Sequence, residues 1–378
     1  MPPLVRRVLM DEIDWNNRLI GIKGPRGVGK TYFLLEYARE YFGLDNQACL
    51  YINLNHFYFT ECSLINFVTE FKAKGGHTLL LDQVFKYPDW ANELSYCYNH
   101  FPDIHIVFTG PSVIQLKTEN SALSGKVDSY NLRGFSFREF LNLMTEADFP
   151  TITLQDILKD HKEIAREICR KVKPLAFFHD YVHHGYYPFF LENRNFSENL
   201  LKTMNMTLEV DVLYIKQIEQ TYLPKLRKLL YLLAVTTPQT LNISQLSKEL
   251  EISRATVMNY IKYLTDARLT NMLYQVGDIF PKKPTKVYLN NSNLVYPIRP
   301  MAVNEQSVRK SFFYNQMHKA HKVNAGGKNG DFLIDYKYNF CVVNSRRIRN
   351  SSDLYYAVDN IEVGENNLIP LWLFGFTY

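Results

Sequence analysis

The stretch Leu19-Ile20-Gly21-Ile22-Lys23-Gly24-Pro25-Arg26-Gly27-Val28-Gly29-Lys30-Thr31 decides how the first domain of this chain folds. Gly24 to Thr31 is a complete G-x-x-x-x-G-K-[ST] match, a P-loop. Leu19, Ile20 and Ile22 read as a strand entering the loop. Tyr32, Phe33, Leu34, Leu35, Tyr37 and Ala38 read as the buried side of a helix leaving it. In that setting the glycines let backbone N–H groups turn inward around phosphates. Lys30 brings a cation to the terminal phosphates, and Thr31 offers a hydroxyl to Mg²⁺. The candidate nucleotide-binding residues are therefore Gly24, Pro25, Arg26, Gly27, Val28, Gly29, Lys30, Thr31 and Tyr32.

Thr78-Leu79-Leu80-Leu81-Asp82 is an apolar run ending in an acid, the pattern of a buried central strand in a parallel sheet. Its position makes Asp82 the Walker B aspartate, a second candidate ligand for Mg²⁺ alongside Thr31, since a hard cation prefers oxygen donors. The next residue is Gln83, where an ATPase of the AAA type usually has a glutamate to activate the attacking water. An amide can orient water but cannot accept its proton, so nucleotide binding is expected to survive and fast turnover is not. A further strand, Ile104 to Gly110, ends at Thr109, a candidate sensor of the terminal phosphate, with Ser112 behind it. A Thr that merely caps the strand is the competing reading. No N-K-x-D element for guanine occurs, so ATP is the expected nucleotide.

Arg18 to Ile22 running into the P-loop, Leu81-Asp82-Gln83-Val84-Phe85-Lys86-Tyr87-Pro88-Asp89-Trp90, Phe108-Thr109-Gly110 and Gly134-Phe135-Ser136-Phe137-Arg138-Glu139-Phe140 together carry a resemblance. The chain resembles a prokaryotic AAA-type ATPase family with a C-terminal domain of unknown function, related to archaeal STAND-type ATPases. The likeness extends through Ser307 to Phe313, Gly330 to Leu333 and Ile369 to Phe376, and so covers nearly the whole chain. Two departures bear on catalysis. The family's Asp-Glu is Asp82-Gln83 here, and an arginine pair that the resemblance implies as sensor or finger is Gly125-Lys126. Lys126 supplies charge without a bidentate fork, which weakens transition-state stabilisation. The catalytic candidates are Gln83, Thr109 and Lys126.

A chain of 378 residues has room for two to four domains, and 46% hydrophobic and 14% aromatic content supplies their cores. There is no apolar stretch of membrane-spanning length and no signal-peptide pattern at Met1 to Arg7, so no membrane partner is expected. Cys49, Cys62, Cys97, Cys169 and Cys341 are odd in number and lack C-x-x-C spacing, which points to the reducing cytoplasm. His183-His184 and His318 with His321 lack ligand partners at metal-binding spacing and read as packed or exposed side chains.

Ile157, Ile164, Ile168 and Val172 recur at helical spacing, as expected of a helical lid, and the aromatic stretch Phe177 to Phe190 reads as lid packing rather than base stacking. Farther on, Leu226 to Leu233 begin a helix, Ile243 to Leu250 form a second with Ser244 as N-cap, and Ser253 caps a third through Leu264. Val257, Ile261 and Leu264 are expected inside, with Arg254, Thr256, Asn259 and Lys262 outside. Leu273 to Val276 and Lys286 to Leu289 around a Gly277-Asp278 turn complete a winged helix. Between Lys225 and Lys286 ten Lys or Arg face four acidic residues, an excess of six charges against +5 for the whole chain. Such a concentration suits phosphate contacts with double-stranded DNA through Arg254, Asn259, Lys262, Lys282, Lys283 and Lys286, although winged helices in STAND-like ATPases also serve as protein-binding modules.

The part from about residue 301 resembles a restriction-endonuclease-like fold. A nuclease needs converging acids and a lysine, but Lys310 stands where relatives have Glu and Cys341 where an acidic strand residue is expected. Only Asp331 remains, so no nuclease activity is expected. Arg346, Arg347 and Arg349 either bind nucleic acid or solvate a loop, the second being the default for a short charge run.

The expected fold is α/β, with a P-loop NTPase core on a parallel sheet (1–140), a helical lid (141–222), a winged-helix domain (223–300) and a C-terminal restriction-endonuclease-like α/β domain (301–378). The expected function is an ATP-binding, AAA/STAND-like molecular switch with weak or slow hydrolysis, its nucleotide state read out through the lid and winged helix, compatible with an oligomer. Two readings stand beside it: a DNA-binding regulator or mobile-element accessory protein with structural ATP, and an active ATPase motor.

Overall fold

The computed structural model describes residues 6–43, 46–114, 121–192, 195–235, 241–301, 303–344 and 354–378. Arg346, Arg347 and Arg349 lie outside these. The chain forms two compact units, 1–134 and 135–378.

In the first unit five parallel strands, β1 (Leu19–Gly24), β2 (Cys49–Asn53), β3 (Thr78–Asp82), β4 (His105–Pro111) and β5 (Asp128–Asn131), lie in the order β2-β3-β4-β1-β5. Helices α1 (Leu9–Glu12), α2 (Lys30–Tyr41), α3 (Leu64–Ala73) and α4 (Trp90–His100) accompany them. Every residue of β3 is buried, which is why its apolar run does not alternate with polar residues. β4 is inserted between β1 and β3, with Ile22 opposite Thr109 and Leu81 opposite Phe108. The strand order therefore brings Thr109 between the P-loop strand and the end of β3. Arg7, buried, donates to the carbonyls of Val28, Arg133 and Gly134 and ties the segment before α1 to the loop.

The second unit comprises α5 (Phe137–Thr145), α6 (Leu154–Lys171), α7 (Pro174–Asp180), α8 (Phe196–Met206), α9 (Leu223–Val235), α10 (Ile243–Leu250), α11 (Arg254–Asp266), α12 (Val295–Ile298) and α13 (Glu305–Met317). Strands β6 (Thr270–Leu273) and β7 (Lys286–Leu289) pair antiparallel. Strands β8 (Val323–Ala325), β9 (Phe332–Ile334), β10 (Tyr338–Asn344), β11 (Tyr355–Asp359) and β12 (Leu368–Pro370) form a mixed sheet in the order β12-β11-β10-β9-β8. Among the described residues no helix is long and apolar enough to cross a membrane.

Phe135 to Phe140 begins this unit with a capping box, in which the Glu139 N–H donates to Ser136 Oγ and the Ser136 N–H donates to Glu139 Oε2, each at 3.1 Å. The aromatic stretch of the sequence packs on this helix and on α13: Phe178 and Tyr181 lie within 4.8–5.8 Å, ring to ring, of Phe137, Phe140 and Phe312. Asn293 stitches the region together. Its Nδ2 donates to the carbonyls of Tyr181 and Val182, and its Oδ1 accepts from the Tyr186 N–H, all at 2.9 Å. Such a satisfied buried network carries a large penalty for the loss of any member.

Three local expectations shift. The N-cap of α10 is Asn242, whose Oδ1 accepts from the Gln245 N–H at 3.1 Å, and Ser244 lies within the first turn. β6 begins at Thr270, three residues before the expected Leu273, because the buried Asn271 pairs with Asn290 and breaks the apolar alternation. Tyr32 is 47% exposed and does not belong to the buried side of α2, which is formed by Phe33, Leu34, Glu36 and Tyr37.

Candidate nucleotide-binding site

The loop between β1 and α2 owes its course to glycine at two positions. A Cβ at Gly24 would stand 2.3 Å from the Leu132 carbonyl oxygen, and Gly29, the residue before α2, has φ 90°. No side chain caps α2, so its first-turn N–H groups face the loop, the arrangement that favours an anion at a helix N-terminus. Lys30 Nζ donates to the carbonyls of Gly24 and Pro25, both at 2.8 Å, and lies over the loop's start. Arg26 stacks on Phe85 at 5.9 Å, linking the loop to the turn after β3. Val28 is fully buried and Gly27 exposed.

Asp82, at the end of β3 and 2% exposed, is the hub. Its Oδ2 accepts from Thr31 Oγ1 at 2.6 Å and from the Tyr51 hydroxyl at 2.9 Å. Its Oδ1 accepts from Thr109 Oγ1 and, at 3.1 Å, from the Gln83 N–H. The same N–H lies 3.1 Å from Thr109 Oγ1. Thr31, Asp82, Gln83 and Thr109 are thus brought together, with hydroxyl and carboxylate oxygens clustered as a hard cation requires. Ser112 Oγ is buried with no hydrogen-bond partner among the described residues.

Tyr51 was not foreseen from the sequence. Burial, followed by the charge of Asp82, pushes its hydroxyl above the ordinary range, so it stays protonated and serves as a donor. The signal open to a reader was the alternation Cys49-Leu50-Tyr51-Ile52-Asn53, a strand whose pairing partner could not be known. Lys126 is placed elsewhere in its interactions: its Nζ donates to Ser95 of α4 at 2.6 Å.

Residues 16–141 match the family profile described as an AAA domain, and residues 176–301 match a domain of unknown function (DUF8612). Residues 16–141 are therefore an AAA domain. An uncharacterized protein of Methanocaldococcus jannaschii, MJ1637, is 26% identical over 279 residues, 70% of this chain, and the chain spans 58% of that protein's length. The solved structure of C. elegans PCH-2 has 16% identity and a TM-score of 0.25, covering 68% of this chain and 62% of its own. The S. cerevisiae Hsp104-ADP complex has 12% identity and a TM-score of 0.24, covering 81% and 46%. Superpositions this loose add nothing to the fold or the function.

The other candidate residues lie beyond the AAA domain. On α11, Val257, Ile261 and Leu264 are fully buried, Arg254 and Asn259 are exposed, and Lys262 pairs with Asp266. Between β6 and β7, Lys283 is exposed and Lys282 pairs with Asp278 at 2.6 Å. Lys286 parts from them, half-buried on β7 within electrostatic reach of Lys310, Asp331 and Cys341. Lys310 Nζ donates to Asp331 Oδ1 at 2.5 Å, so the one acid left of the presumed nuclease site is held by an ammonium.

Proposed function

We propose that the chain is an ATP-binding molecular switch with slow hydrolysis, whose nucleotide state is read out through a helical lid and a winged helix. The observation that supports it most is the Thr31–Asp82 contact at 2.6 Å beneath an uncapped helix N-terminus. Lys30 would meet the terminal phosphates, and Thr31 and Asp82 would hold Mg²⁺. When bound, that ion neutralises phosphate charge. Thr109 would sense the terminal phosphate through the carboxylate it shares with Gln83. Gln83 would orient a water without taking its proton, and with Lys126 engaged by Ser95 neither a base nor an arginine fork serves the reaction. The five free thiols suit a cytoplasmic setting.

In this reading α9 to β7 form a winged helix and the mixed sheet with α13 an inactive nuclease-like module. The exposed Arg254, Asn259 and Lys283 favour duplex DNA as the partner. Val276 and Ile279, 52% and 74% exposed in the same β6–β7 connection, favour a protein.

The test is ATP affinity by calorimetry. Lys30→Ala removes a cation from a site dense in negative charge and should abolish measurable binding in a folded variant. Unchanged affinity would overturn the assignment of the loop.

A further inference from the structure

Tyr51 stands opposite Leu80 in the β2–β3 pairing, so Asp82, two residues on, shares its face of the sheet. The Tyr51 hydroxyl reaches the Asp82 carboxylate from that neighbouring strand at 2.9 Å. A carboxylate offers about four acceptor positions, two on each oxygen. Four donors of the chain take them: Thr109 Oγ1 and the Gln83 N–H at Oδ1, and Thr31 Oγ1 and the Tyr51 hydroxyl at Oδ2. These donors are not equivalent toward a cation. Thr31 gives its proton to Oδ2 and keeps its oxygen lone pairs, so its contact is compatible with a ligand role. Thr109 on β4 and the Gln83 backbone together fix Oδ1, which sets the plane of the carboxylate without help from Tyr51. Tyr51 instead fills the second position on Oδ2, through which that oxygen would accept from the hydration shell of a hard cation. Its donated proton also offsets part of the carboxylate's charge.

We propose that Tyr51 sets the cation affinity of this site: its hydroxyl competes with a divalent cation for Asp82 Oδ2 and so limits what Mg²⁺ adds to nucleotide binding. The inference rests on the reading of the loop as an ATP site and assigns a role to a residue outside the P-loop and the end of β3. The site holds nucleotide with less dependence on Mg²⁺ than the same site would with phenylalanine at position 51.

ATP is titrated by calorimetry into the full chain and into full-length Tyr51→Phe, once in excess EDTA and once in excess Mg²⁺, at fixed ionic strength. The ratio of the two dissociation constants measures what the cation adds. In Tyr51→Phe that ratio should be larger by about tenfold, the scale of one charge-assisted hydrogen bond, with the affinity in EDTA close to the parent's. An equal ratio makes Tyr51 a bystander, and a smaller one makes it an aid to the cation. Either result overturns the proposal and leaves the ATP site standing. Absence of ATP binding by the parent in both conditions overturns the ATP reading itself, and the proposal with it. Tyr51→Phe removes one oxygen and keeps the ring and three of the four donors, so it tests chemistry more than folding. Melting supplies a second readout. With ATP in EDTA the variant should melt below its parent, because a buried carboxylate has lost a donor, and Mg²⁺ should raise its melting temperature by more than it raises the parent's. A purely structural role for the hydroxyl would lower both conditions alike, and equal rises overturn the proposal.

Discussion

Gln83 occupies the left-handed region, φ 56°, with its N–H shared between Asp82 Oδ1 and Thr109 Oγ1. Its backbone is therefore fixed by the strand ends that carry the site, and exchange of its side chain should alter chemistry more than structure. Gln83→Glu introduces a carboxylate able to accept the water's proton, and should raise steady-state phosphate release by about tenfold or more, since a positioned base contributes roughly 10²–10⁴-fold. A parent protein that already turns over as fast as the variant would contradict the weakened-site account. A flat response from a slow parent would shift the deficiency to charge stabilisation, where Lys126 is engaged by Ser95. Tyr51 belongs to the same scale: it shares Asp82 Oδ2 with Thr31, so two hydroxyls hold the oxygen expected to face a metal's hydration shell.

At the scale of the element, the connection between β6 and β7 decides which partner suits the second unit. Lys282 spends its charge on Asp278, but an exposed pair of this kind is worth little, so both Lys282 and Lys283 remain open to phosphate. Duplex binding followed by fluorescence anisotropy across a salt series should weaken steeply. The double variant Lys282→Ala, Lys283→Ala should lose about 1–2 from the log–log slope, near 0.9 per contact. Lys286 does not belong in this test, because it is half-buried on β7 and held below its ordinary range by burial. Absent binding at low salt, or identical slopes, would transfer the role to a protein partner on Val276 and Ile279.

Over the whole molecule, alkaline stability follows from buried thiols. Burial pushes Cys49 and Cys341 up to about 11 and Cys97 up to about 12, well above an ordinary thiol. The folded state thus holds protons that the unfolded state releases. The stabilisation is complete below the unfolded value, near 9, and is lost as pH rises through 11 to 12. Tyr37 and Tyr296, each pushed up to about 12, act in the same sense, while Lys286, held low, opposes them. The urea midpoint should therefore fall between pH 8 and 10.5, less steeply in Cys97→Ala. A flat profile in the parent would contradict this.

The parallel-sheet core was legible because its signals are local. A glycine spacing, an apolar run ending in Asp82 and a helical period after Lys30 each lie within about one element, where backbone sterics and burial act on neighbours in sequence. Leu226 to Leu264 could likewise be read as three helices, with only the cap moved from Ser244 to Asn242. The positions of Tyr51, Lys126 and Lys286 could not be read this way. Tyr51 reaches Asp82 only because β2 pairs with β3, Lys126 meets Ser95 across 31 residues, and Lys286 is half-buried on a strand that packs on α13. Asn271 of β6 and Asn290, just after β7, form a buried pair held by a side-chain hydrogen bond at 3.0 Å. Strand order and the pairing of distant segments settled these, since a polar side chain's burial depends on a partner that no local pattern names.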